Sequence, residues 1–63
     1  MDLVDARKKA RYTQEEVANL LGISRPTYAR MEKSPQDIPI KEARNLAKIF
    51  EISVEEIFFA EKV

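Results

Sequence analysis

The side chains in this chain best suited to recognition chemistry are Arg25, Thr27 and Arg30. They stand on RPTYARMEK, where helical spacing turns Arg25, Pro26, Ala29, Arg30 and Lys33 outward and Tyr28 and Met31 inward. An arginine guanidinium is a rigid fork of N–H donors that fits the O6/N7 edge of guanine. Threonine offers a hydroxyl, or a methyl to touch thymine. Pro26, between them, supplies apolar contact only. This set can read a base edge; it cannot break a bond. The 63 residues contain no His and no Cys. That removes imidazole bases, thiolates, disulfides and the common zinc ligands together. The carboxylates all have surface or capping explanations, so no enzyme activity, metal or cofactor is expected.

For these residues to act, something must hold their helix. The preceding stretch, QEEVANLL, has apolar residues at Val17, Ala18, Leu20 and Leu21, expected to line one helical face. Gly22, the only glycine, tolerates positive φ; Ile23 is an apolar plug; Ser24 has a hydroxyl able to cap the next helix. Two short helices meeting at a glycine corner, the second basic on one face and apolar on the other, have the geometry of a DNA-reading helix-turn-helix.

The supporting elements follow on either side. Met1 to Arg11 reads as helix one, with Leu3, Ala6, Arg7 and Ala10 on one face. Thr13 with Glu16 forms a capping box opening helix two, and Tyr12 with Val17 has staple spacing. Residues 33–39, KSPQDIP, read as a loop. Helix four is predicted from about Ile40 to Phe50, with Ile40, Ala43, Leu46, Ala47 and Phe50 as its core stripe and Lys41, Arg44 and Lys48 outward. Ser53 with Glu56 forms a second capping box, and helix five runs from Val54 to about Ala60. Its apolar set exceeds one face. Phe59 is the surplus and the candidate self-association contact.

The run TQEEVANLLGISRPTYARME closely resembles the helix-turn-helix of the phage lambda-repressor/Cro-like family of small bacterial and phage regulators. The likeness extends from about Leu3 to Phe58. It is most specific at Thr13-Gln14-Glu15-Glu16, at the Leu21-Gly22-Ile23-Ser24 corner and at the pair Arg7 and Glu32. It implies an all-α, five-helix domain over residues 1–63, with the helix-turn-helix at about 14–32, the recognition helix at about 25–32, and helix five with a short tail at 53–63. The resemblance also implies that Arg7 on helix one pairs with Glu32. In related repressors the residue matching Gln14 bonds a DNA phosphate; a solvent-exposed first-turn residue is the competing account. Lys33 and Lys41 are further phosphate candidates, although Lys41, Arg44 and Lys48 also suit plain solvated surface. The chain departs from the family where a glycine is common near Tyr12, where Asn-Gly often stands at Lys33-Ser34, and where a polar reader often occupies the place of Pro26.

Composition bounds these readings. Hydrophobic residues make up 44% and charged residues 35% of the chain, a globular balance for one small domain. Eleven basic and eleven acidic residues cancel, whereas nucleic-acid binders are more often basic. The distribution is uneven, at +2 over residues 1–33 and −2 over residues 34–63. No membrane-length apolar run or signal pattern is found, so the expected address is the cytoplasm. The leading expectation is sequence-specific binding of duplex DNA by a transcriptional regulator, of repressor type, working as a homodimer at least on DNA. The alternative is a protein-interaction module, of antitoxin or anti-regulator type, that keeps the fold and binds a protein partner.

Overall fold

The computed structural model describes residues 2–58. Among them are five α-helices: α1 (Leu3–Lys9), α2 (Gln14–Leu21), α3 (Arg25–Lys33), α4 (Ile40–Phe50) and α5 (Val54–Phe58). A 3-10 turn at Pro35–Asp37 links α3 to α4, and no strand occurs among the described residues. The expected extension of α5 to Ala60, and the association role of Phe59, lie outside them.

Local chemistry fixes where most helices begin. Asp2 Oδ1 accepts from the Asp5 N–H at 2.8 Å, so α1 starts at Leu3, two residues inside the predicted start. Thr13 and Glu16 exchange reciprocal bonds of 3.1 and 2.8 Å at the head of α2. Ser53 and Glu56 do the same for α5 at 3.1 and 2.9 Å. Each such cap contributes about 1 kcal/mol by satisfying N–H groups that lack intrahelical partners. Helix α4 is the exception: it follows Pro39, which provides no side-chain cap.

The helix ends are more revealing. Gly22 closes α2 at φ 73°, as its sequence position requires. Two other residues do the same work without being glycine: Arg11 at φ 67° after α1, and Glu51 at φ 58° after α4. Arg11 thus makes the turn beside Tyr12 at which the family resemblance leads one to expect a glycine. A side chain in this region costs about 1–2 kcal/mol relative to ordinary helical backbone.

The core joins Leu3 and Ala6 of α1, Val17 and Ala18 of α2, Tyr28 of α3, Ile38, the α4 stripe Ala43, Leu46, Ala47 and Phe50, and Ile57 of α5. Tyr12 packs on its edge, with its ring centroid 6.4 Å from that of Phe50. Pro35 and Ile38 are both buried, so the 33–39 connection plugs the core as well as crossing the surface. Two expectations are corrected. Leu20 is 58% exposed and Ile40 61% exposed, and neither belongs to the core. On α2 the inward arc runs from Val17 through half-buried Leu21 to Ala18, and Leu20 lies about 100° from Leu21 and about 60° beyond the Val17 edge at 100° per residue. Ile40 opens α4 and sits past the Ala47 edge of its stripe.

Candidate nucleic-acid interface

The corner between α2 and α3 follows from Gly22. Its amide bonds the Asn19 carbonyl at 3.1 Å, and the next amide, of Ile23, bonds the Ala18 carbonyl at 3.0 Å. These bonds take up carbonyls at the end of α2 and turn the chain sharply. A Cβ placed on Gly22 would meet nothing within 4 Å, so it is the left-handed backbone, and not lack of space, that favours glycine here. Ser24 then caps α3, its Oγ accepting from the Thr27 N–H at 3.2 Å. Pro26 lies in the first turn, where a missing N–H costs nothing.

Three helices are tied together behind this corner by one carboxylate. Arg7 Nε of α1 donates to Glu32 Oε2 of α3 at 2.7 Å, and the two side chains are only 11% and 5% exposed. Arg7 Nη1 also donates to the Tyr12 carbonyl at 2.8 Å. Gln14 Nε2, on the first turn of α2, donates to the other Glu32 oxygen, Oε1, at 2.8 Å. Each buried charge is therefore paired and further hydrogen-bonded, the condition under which such a pair is tolerated. The Gln14 bond has no local signature: the partners are eighteen residues apart, and only the folded corner brings them together. Beneath the pair, Tyr28 is fully buried and its hydroxyl makes no hydrogen bond of acceptable geometry. Burial pushes its phenol well above the ordinary range; the Glu32 carboxylate adds to this, while Arg7 opposes it.

The outer face of α3 carries the sequence-derived candidates. Arg25, Pro26, Arg30 and Lys33 are exposed, and Thr27 is half-buried. The Thr27 hydroxyl lies 2.8 Å from Ser24 Oγ, which commits part of its bonding capacity to the cap. The candidates divide between two flanks. Arg25 joins Gln14, Arg7, Thr13 and Glu15 around a recess at the start of α2. Thr27, Arg30 and Lys33 line a groove with Met31, Ser34 and Asp37 on the other side. Lys41 belongs to neither. It is exposed on α4 beside Ile40, Arg44, Asn45 and Lys48.

A short capped helix presents arginines and a lysine to solvent and is locked to a second helix through a glycine corner. The class this defines is the helix-turn-helix domain. A family model described as helix-turn-helix matches residues 3–57, and the chain belongs to the lambda-repressor/Cro-like helix-turn-helix family, whose domains are DNA-binding and non-enzymatic. The chain is similar to an uncharacterized HTH-type transcriptional regulator of Methanocaldococcus jannaschii, with 43% identity over 49 residues, covering 78% of this chain and 74% of that protein. It is also similar to an uncharacterized HTH-type transcriptional regulator of Archaeoglobus fulgidus, with 36% identity over 52 residues, 82% of this chain and 73% of the relative. No solved structure is a significant match.

Proposed function

We propose that the chain is a transcriptional regulator of repressor type that binds duplex DNA sequence-specifically, with α3 in the major groove. One observation carries this reading: the cations of α3 all face solvent while the side chain of its acidic residue, Glu32, is only 5% exposed and is paired with Arg7. A chain with no net charge thereby presents a cationic recognition helix. Arg25, Pro26, Thr27 and Arg30 are the proposed base-reading residues. Gln14, Lys33 and Lys41 are the proposed phosphate contacts, with Lys41 approaching from α4. One helix of this length reads few base pairs, so two copies related by two-fold symmetry occupy half-sites about 34–36 Å apart. The similarity to two HTH-type transcriptional regulators supports the same assignment.

A second reading has one observation in its favour. Leu20 and Ile40 are large, apolar and exposed on different helices, as a protein-docking domain would have them. Two variants separate the readings. Arg30→Ala is expected to relax preference at one or two base positions, with a loss of about 1–3 kcal/mol in discrimination. Lys33→Ala is expected to weaken all sites alike and lower the salt slope by about one. If neither variant alters DNA binding, the protein-docking reading takes over. If Arg30→Ala weakens specific and mixed DNA equally, Arg30 is a phosphate contact.

A further inference from the structure

We propose that Glu32 is a positioning residue for phosphate recognition: its buried carboxylate orients the side-chain amide of Gln14 toward the DNA backbone. The inference rests on the DNA-binding reading above and goes beyond it by giving the Arg7–Glu32 pair a task in binding. A glutamine amide has two faces, an acceptor oxygen and an NH2 group, and a free side chain presents either. Only one helps at a phosphate. The oxygen repels the anion, whereas the NH2 group donates to it. In this structure the choice is made in advance.

Glu32 has two carboxylate oxygens and two donors. Arg7 Nε takes Oε2 at 2.7 Å and keeps the carboxylate paired; Gln14 Nε2 takes Oε1 at 2.8 Å. Because an ionised carboxylate only accepts, the Gln14 NH2 group must be the part that meets it, which fixes the amide orientation chemically. One Nε2 hydrogen is then spent on Glu32 and the other is available. Gln14 also lines the recess at the start of α2, together with Arg7, Thr13, Glu15 and Arg25. Two guanidinium groups and the first N–H groups of an eight-residue helix favour an anion there, with the carboxylates of Glu15, Glu16 and Glu32 as the opposing charges. Arg7 adds its charge, but its Nε and Nη1 are already committed to Glu32 and Tyr12. The free Gln14 N–H is thus a neutral donor of the recess, and Glu32, whose side chain is 5% exposed, is what aims it.

The arrangement also couples two parts of the interface. Glu32 sits on α3, the proposed reading helix, and Gln14 on α2, so seating a phosphate at Gln14 pulls on the helix that carries Arg25 and Arg30. A positioning role of this kind differs from a merely structural one in what it predicts.

The test is a four-way comparison of the unaltered chain, Gln14→Ala, Glu32→Gln and the double variant. Binding is measured on a duplex enriched from random DNA and on mixed genomic DNA, at a temperature where circular dichroism shows all four folded. In the unaltered background, Gln14→Ala is expected to lower affinity about tenfold on both DNAs, the weight of one hydrogen bond to a charged group. Because the amide is neutral, the salt slope should not move. In the Glu32→Gln background, the same change should cost less than about threefold, because an amide at position 32 can accept or donate and so no longer fixes which end of Gln14 meets it. Comparing ratios cancels the extra positive charge of Glu32→Gln and any loss common to both backgrounds. An equal cost of Gln14→Ala in both backgrounds would overturn the assignment and leave Glu32 a structural role only. Should Glu32→Gln fail to fold, the unaltered chain decides by nuclear magnetic resonance: one Gln14 side-chain N–H proton should shift on DNA addition while the Glu32-bonded one holds. Movement of neither proton, or loss of the Glu32-bonded signal, would overturn the proposal. A chain that binds neither DNA would instead sink the regulatory reading on which the inference rests.

Discussion

Replacing Arg7 by Met leaves the Glu32 carboxylate 5% exposed, with a single neutral donor, the Gln14 amide. A buried charge stripped of its partner costs about 3–5 kcal/mol. Glu32→Leu strands the Arg7 guanidinium instead. Arg7 keeps the Tyr12 carbonyl at 2.8 Å and begins 11% exposed, so a small shift toward water relieves part of the penalty. The second variant should therefore fall at the lower end, about 3 kcal/mol. A domain of this length has a total stability of about 3–9 kcal/mol, so either change removes much of it and Arg7→Met brings the fold close to its limit. The double variant Arg7→Met/Glu32→Leu buries no charge. It should be no less stable than the worse single variant, and within about 1–2 kcal/mol of the unaltered chain, because apolar replacements of buried pairs are commonly tolerated. Urea unfolding followed by circular dichroism at 25 °C gives all four values, provided the slope on denaturant stays constant. Losses under about 1 kcal/mol for each single variant, adding in the double, would show the pair to be solvated and the reasoning wrong.

Two further predictions concern single positions. The buried, unbonded Tyr28 hydroxyl should make Tyr28→Phe neutral or stabilising by about 1 kcal/mol at pH 7. Because folding raises the Tyr28 phenol above its unfolded value of 10.0, its contribution is complete below that pH and is lost above it. An alkaline denaturation curve should accordingly flatten in Tyr28→Phe, and an unchanged curve would contradict the assignment. Arg11→Gly and Glu51→Gly should each raise stability by about 0.5–1 kcal/mol, since both residues sit at positive φ. Lower melting temperatures for both would show that their side chains contribute more than the strain costs.

The parts of the fold legible in the sequence were those governed by near neighbours. The Thr13/Glu16 and Ser53/Glu56 boxes and the Gly22 corner each depend on residues within three or four positions, and each stands where the spacing put it. Apolar periodicity was legible in direction but not in width. It cannot say how far the neighbouring elements reach, and so the pattern points Leu20 and Ile40 at a core that does not cover them. The Arg11 turn was hidden because nothing in an arginine announces positive φ. Pro35 and Ile38 were hidden by their polar surroundings in KSPQDIP. In the candidate interface, residue types pointed to Arg25, Thr27 and Arg30. The Gln14–Glu32 bond has no counterpart in any spacing rule, because it joins the first turn of one helix to the last turn of the next across a corner.

The central claim, that α3 reads duplex DNA, is tested most directly by enrichment from random duplexes with the unaltered chain. The account predicts a two-fold symmetric consensus with half-site centres about 10–10.5 base pairs apart, bound with an affinity that falls steeply as salt rises. In Arg30→Ala the same selection should lose preference at one or two positions of each half-site while keeping the spacing. Recovery of no consensus, with weak binding indifferent to salt, would contradict it.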